Sequence, residues 1–259
     1  MADRTVVITG AGRTIGQACA QRFAQDGDNL ILAGKSEEKL TLVADGLREG
    51  GADVSIVCAE TFNKLHVHNI IAEALETFGR VDVLAHTRMT PSSSDFFELG
   101  EEDFDQAVAE NLRSAFLVNQ AFAKHLVKQH EDPTTNDGGG VIINLVADEA
   151  SAARADQAAF AAAEAGVESM TRVVANVLAP IGGRANCVSV GAVKPWLKTD
   201  AARDIARRET PLSRAADPSE VAETIFFLAS PGAAFITGQT VTVYGGRRVY
   251  SPNEEEGAG

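Results

Sequence analysis

Arg4-Thr5-Val6-Val7-Ile8-Thr9-Gly10-Ala11-Gly12-Arg13-Thr14-Ile15-Gly16 is the stretch on which the reading of this chain turns. The apolar, β-branched run Thr5 to Thr9 reads as a buried strand. The glycines break it into a tight turn, and an alanine-rich helix begins near Ile15. A strand, glycine turn and helix in that order aim backbone N–H groups and the positive end of a helix dipole at whatever lies above the turn, an arrangement suited to a pyrophosphate. The glycine pattern alone also occurs in plain turns, so the surrounding chain has to decide.

With 259 residues the chain is long enough for one large α/β domain with a well-buried core. Residues 1–250 are expected to form that domain, and the acidic stretch 251–259 a disordered tail. A formal net charge of −13 argues against nucleic acid or an anionic membrane surface as a partner, because both reward a basic face. Cys19, Cys58 and Cys187 are odd in number and fall in predicted helices or strands, so they read as small buried apolar residues in a reducing compartment. The chain enters a strand without an apolar leader and has no apolar run long enough to span a bilayer, which gives a cytoplasmic expectation.

Strands are expected at 29–33, 54–58, 81–85, 141–146, 186–190 and 240–244, and helices at 37–49, 65–78, about 102–129, about 158–178 and 220–229. Residues 131–140 read as a polar, glycine-rich loop. Repeated βα units imply a doubly wound parallel sheet of about seven strands with helices on both faces, a Rossmann-type α/β fold.

In this order the motifs resemble those of the short-chain dehydrogenase/reductase family, over nearly the whole chain. Thr9 to Gly16 is similar to the family's Thr-Gly-x-x-x-Gly-x-Gly turn, Asp82 follows a Phe-Gly-x-Asp pattern, and Asn111 falls at the family's central-helix Asn. Pro211 to Arg214, Pro218 to Ala222, Phe227 to Ser230 and Thr237 to Gly246 resemble its C-terminal pattern. The resemblance implies carbonyl reduction or alcohol oxidation through a Tyr acid/base, a Lys that lowers the Tyr pKa, and a Ser that orients the substrate oxygen. Here the Tyr-x-x-x-Lys segment reads Phe160-Ala161-Ala162-Ala163-Glu164, and the Ser position is Ala147. Of the four positions, Asn111 alone is retained. Phenylalanine has no proton to give, and Glu164 reverses the charge that would stabilise a phenolate.

On the cofactor side, the family's Asn-Asn-Ala-Gly segment is His86-Thr87-Arg88-Met89, which should shrink the nicotinamide pocket. Thr14 stands at the second glycine of the turn, between the intact Gly10 and Gly16, with Ile15 beside it. Glu60 lies where the family has an Asp near the adenine, and the family's Pro-Gly pair after the sixth strand reads Val190-Gly191. Gly34-Lys35 ends the second strand in place of an acidic residue. With Arg13 it favours a 2′-phosphate, hence NADP(H) over NAD(H) if a dinucleotide binds at all; the alternative is no cofactor. Arg88 and Glu164 are expected to meet as an ion pair that fills the nicotinamide half and leaves the adenine half open to a nucleotide fragment.

His66 and His68, two apart on a helix, point to different faces and read as solvated rather than as metal ligands. Asp148-Glu149 border the expected substrate cleft and read as a solvated loop more readily than as an acid/base pair. Pro195-Trp196 and Phe96-Phe97 fall in loops that cover the substrate in the family, or else serve as core or oligomer surface.

Three functions stand: a non-catalytic scaffold or partner subunit beside an active paralogue; an NADP(H) oxidoreductase with relocated groups; or a non-redox dehydratase, isomerase or cyclase using Glu164, Asp148, Glu149 or His86. A homo-oligomer, dimer or tetramer, or a hetero-oligomer is expected, joined through the two long helices and the small-residue face Ala158, Ala161, Ala162 and Ala165.

Overall fold

In the computed structural model, residues 4–60, 63–132, 138–148 and 154–247 are described. Seven parallel strands lie in the order β3-β2-β1-β4-β5-β6-β7. They are β1 (Thr5–Thr9), β2 (Asn29–Gly34), β3 (Val54–Cys58), β4 (Val83–His86), β5 (Val141–Ala147), β6 (Arg184–Val190) and β7 (Thr240–Val243). The first strand is buried along its whole length, as a central parallel strand must be when helices cover both faces.

Alternate residues of β1 feed two cores. Val6 and Ile8 pack with α1 (Thr14–Gln25), α2 (Glu37–Glu49) and the later helix α8 (Pro218–Ala229), through Phe23, Leu40 and Ile225. Val7 packs on the other face with α3 (Lys64–Phe78), α5 (Ser114–Glu131) and α6 (Ala158–Leu178), through Ile70, Phe122 and Leu178. The strand order reverses between β1 and β4, which opens a crevice at the carboxyl ends of these two strands.

Local chemistry sets the helix ends. Ser36 accepts from Lys39 N to start α2, Asn63 accepts from Leu65 N and His66 N to start α3, and Gly79, at φ 74°, closes α3 in the left-handed region. Asp217 and Glu220 cap α8 reciprocally.

Several expectations need correction. The long helix expected from about Glu102 to Gln129 is two helices, α4 (Glu101–Val108) and α5, joined by a π-helical turn at Ala109–Arg113. An amphipathic helix, α7 (Asp200–Glu209), was not expected at all; its arginines and acids obscure the short apolar face that includes Ala206. β6 begins at Arg184 rather than Asn186: a buried arginine opens the strand and donates to Leu228 O and Ser230 O at the end of α8. Cys19 and Cys187 are buried as expected, whereas Cys58, at the end of the edge strand, is exposed, its thiol donating to Lys35 O. The tail 251–259 and Glu149 lie outside the described residues, as does 133–137 of the expected loop. Among the described residues no helix is long and apolar enough to cross a membrane.

Candidate functional site

The site begins at the corner where β1 and β4 end side by side, with Thr9 paired to His86. Thr87 closes the corner, its N–H and its hydroxyl both donating to Thr9 O at 3.1 and 2.8 Å. His86 Nδ1 lies 2.7 Å from Thr9 Oγ1, and the ring is fully enclosed. Burial, with the charge of Arg88 adding, pushes its pKa down to about 3, so the imidazole is neutral at physiological pH. Gly10 turns the chain at φ 75°, and a Cβ there would stand 3.1 Å from Arg88 N. At Gly16 a Cβ would stand 2.3 Å from Gly10 O, so the turn folds onto α1 only with glycine at that position.

Beyond this corner the crevice is filled. Met89 (5% exposed), Ala147 (4%) and Phe160 (1%) belong to one apolar cluster with Val190 and Val193. Glu164, 2% exposed, sits against them, and its Oε2 accepts the Ala147 N–H at 2.7 Å. The structure thus brings Ala147, Phe160 and Glu164 together as the sequence suggested, in a dry, closed place. Asp148 is buried rather than solvated, with its N–H donated to Val190 O.

The expected Arg88–Glu164 ion pair is not what the structure records. Arg88 Nη1 donates to Glu110 O, and its Nη2 lies 3.8 Å from Glu110 Oε2, while Glu164 turns to the β5 backbone. The π-helical turn causes the difference, because the extra residue presents Glu110 to the segment after β4, a feature that side-chain spacing does not disclose. Burial lowers the Arg88 pKa, partly offset by Glu110, with Arg13 adding a smaller lowering. Asn111 ties the same turn to that segment: its Oδ1 accepts from Thr90 N, and its Nδ2 donates to Thr90 O and Ala107 O. All three of these bonds go to backbone groups.

The other half of the crevice is open, a cavity of about 250 Å³ lined by Gly10, Gly12, Gly34, Leu40 and Ala59 with the charged side chains Arg13, Lys35, Lys39, Glu60 and Arg88. Thr14, Ile15 and Gly16 form the first turn of α1, which starts at Arg13 without a side-chain cap, so its leading N–H groups face this end of the sheet. Arg13 Nη1 donates to Met89 O, bridging from the glycine turn to the β4 segment. Lys35 is 83% exposed and pairs with Glu60 at 2.9 Å, and the Glu60 N–H donates to His66 Nδ1. Lys39 and Glu110 were missed in the sequence. Lys39 stands three residues after the cap Ser36, a signal that placing it on the helix start would have supplied.

His66 and His68 form no metal cluster, and none exists among the described residues. Phe96 and Phe97 are exposed and meet edge to face at 5.7 Å, and Trp196 is exposed. On the small-residue face, Ala162 and Ala165 are exposed, while Ala158 and Ala161 are half-buried.

Residues 10–248 match the family model described as enoyl-(acyl carrier protein) reductase. The chain is 29% identical over 252 residues to the (2S)-[(R)-hydroxy(phenyl)methyl]succinyl-CoA dehydrogenase subunit BbsD of Thauera aromatica, covering 96% of this chain and 98% of that one. The crystal structure of gox2181 superposes with a TM-score of 0.89 at 29% identity, covering 96% of this chain and 97% of its own. A short-chain dehydrogenase/reductase from Brucella melitensis does so with a TM-score of 0.82 at 30% identity, with coverages of 96% and 97%.

Proposed function

The chain belongs to the short-chain dehydrogenase/reductase family, and from that premise we propose that it is a non-catalytic member, working as the partner subunit of an oligomer rather than as a reductase. One contact carries the reading: the Glu164 carboxylate, buried and bound to the Ala147 N–H, at the place where the family's device needs an ammonium. Phe160 beside it has no exchangeable proton, and Ala147 has no hydroxyl. Positioned acid–base catalysis is worth about 10²–10⁴-fold, and none of its groups is present here.

A nicotinamide dinucleotide supplies hydride chemistry in this family. The glycine turn, Arg13, Lys35 and Lys39 fit its adenosine end, with NADP(H) favoured over NAD(H) by these cations. At the reacting end Met89, Phe160 and Glu164 do not fit it, because all three are packed into the protein. His86 and Glu164, the acid–base groups that a non-redox reaction in this cleft would call on, are enclosed too, which weighs against that reading.

A partner role is supported by the outer faces of the long helices. Phe116 on α5 and Val173 and Val177 on α6 are exposed beside Ala162 and Ala165, an apolar area suited to close helix contact. The printed name of one relative, a dehydrogenase subunit, is in keeping with work inside an assembly.

The test is light scattering and turnover of the chain alone, and co-expressed with an active family member. The reading expects an oligomer without NADPH turnover alone, and turnover in a mixed assembly that scales with the active subunits. A monomer at micromolar concentration would overturn the partner role.

A further inference from the structure

We propose that the open half of the crevice takes a nucleoside bisphosphate, a mononucleotide with phosphates on two sides of its sugar, and not a dinucleotide. This rests on the reading above only in that the reacting end is closed; whether the chain turns over is a separate matter.

Size comes first. The cavity of about 250 Å³ falls below the roughly 300–1,000 Å³ of pockets that enclose drug-sized ligands, so it has room for a fragment. The long groove that a dinucleotide needs is also interrupted. Arg13 crosses from the glycine turn to Met89 O, and Met89 itself belongs to the core beyond that bridge.

Charge comes second. In a chain of net charge −13, this one cavity is lined by four cations, Arg13, Lys35, Lys39 and Arg88, against the single carboxylate of Glu60. The cations fall in two groups. Arg13 and Arg88 stand at the glycine turn and the uncapped start of α1, while Lys35 and Lys39 flank the start of α2. Each group suits one phosphate, through charge-assisted bonds and the N–H groups of a helix start. The wall between them holds Leu40 and Ala59, which offer apolar surface to a base or sugar.

The experiment is calorimetric titration of the full chain with adenosine 2′,5′-bisphosphate, AMP, inorganic pyrophosphate, nicotinamide mononucleotide and NADP⁺. The bisphosphate is expected to bind at least about tenfold more tightly than AMP or pyrophosphate, NADP⁺ no more tightly than the bisphosphate, and nicotinamide mononucleotide not at all. Lys39 is exposed, so Lys39→Ala leaves the fold intact and should cost the bisphosphate about tenfold while leaving AMP nearly unchanged; Arg13→Ala should weaken both. NADP⁺ binding tenfold tighter than the bisphosphate, or binding of nicotinamide mononucleotide, would show that the dinucleotide is accommodated and overturn the proposal. Pyrophosphate binding as tightly as the bisphosphate would reduce the cavity to a bare anion site, and no bisphosphate binding at millimolar concentration would remove the site. These last two results leave the non-catalytic reading standing, and NADPH turnover would end that reading whatever the bisphosphate does.

Discussion

Glu164 Oε2 accepts the backbone N–H of Ala147 at 2.7 Å, joining the middle of α6 to the end of β5 through a carboxylate that is almost wholly buried. The bond makes Glu164 a structural residue. Glu164→Ala leaves a buried N–H without its acceptor and opens a cavity, and is expected to destabilise by about 2–4 kcal/mol. Glu164→Gln keeps an acceptor and should cost less. Denaturant unfolding of the two variants separates these outcomes.

Restoring the family's residues should fail for the same reason. The triple change Ala147→Ser, Phe160→Tyr and Glu164→Lys puts an ammonium against a donor N–H and leaves Met89 in the core. Lower stability than the parent and little or no NADPH oxidation are expected. Turnover within tenfold of an ordinary family member would contradict this.

Arg88 and Glu164, engaged by Glu110 and by the β5 backbone respectively, should act independently. In a double-mutant cycle of Arg88→Ala and Glu164→Ala the effects should add within about 0.5 kcal/mol, whereas Arg88→Ala and Glu110→Ala should show coupling above that level.

His86 makes the protein acid-sensitive. Its folded pKa, about 3, lies below its ordinary value of 6.5, so between these values the unfolded chain binds the proton and the folded chain does not. Stability is therefore full above pH 6.5 and falls as pH drops towards 3. Glu220, held down to about 2 chiefly by its hydrogen bond to Arg214 and then by the Asp217 N–H, loses its contribution in a lower window, from its ordinary 4.5 down to about 2. Melting temperatures between pH 6.5 and 5 isolate His86. The slope there should flatten in His86→Asn, and an unchanged slope would refute the assignment.

Two glycines should respond in opposite directions. Gly16→Ala meets backbone at 2.3 Å and should destabilise by about 1–3 kcal/mol or more. Gly46, inside α2 with open space where a Cβ would go, should gain about 0.4–1 kcal/mol on change to Ala. Thermal melts of both variants provide the check.

Much of the sheet was legible because β1 to β6 are buried apolar runs punctuated by glycine and by helix caps. The meeting of Ala147, Phe160 and Glu164 was legible as well, since their spacing on β5 and α6 fixes it. What escaped were features without a periodic signal. The π-helical turn at Ala109–Arg113 redirects Arg88 to Glu110 through one extra residue, and nothing in the spacing of apolar side chains marks it. Lys35 was read for its charge alone, and its pairing with Glu60 across the ends of β2 and β3 depends on the sheet register, in which Gly34 stands beside Cys58. Asp148 follows a strand and reads as solvated, but its backbone is bound to Val190 and the residue is enclosed.

The most direct test of the central claim is the rate of NADPH oxidation by the purified chain with a simple ketone, followed by absorbance at high protein concentration. With Phe160, Ala147 and Glu164 closed into the core, the account predicts no turnover above the rate without protein. Turnover at the ordinary enzymatic scale of about 1–10³ per second would contradict it.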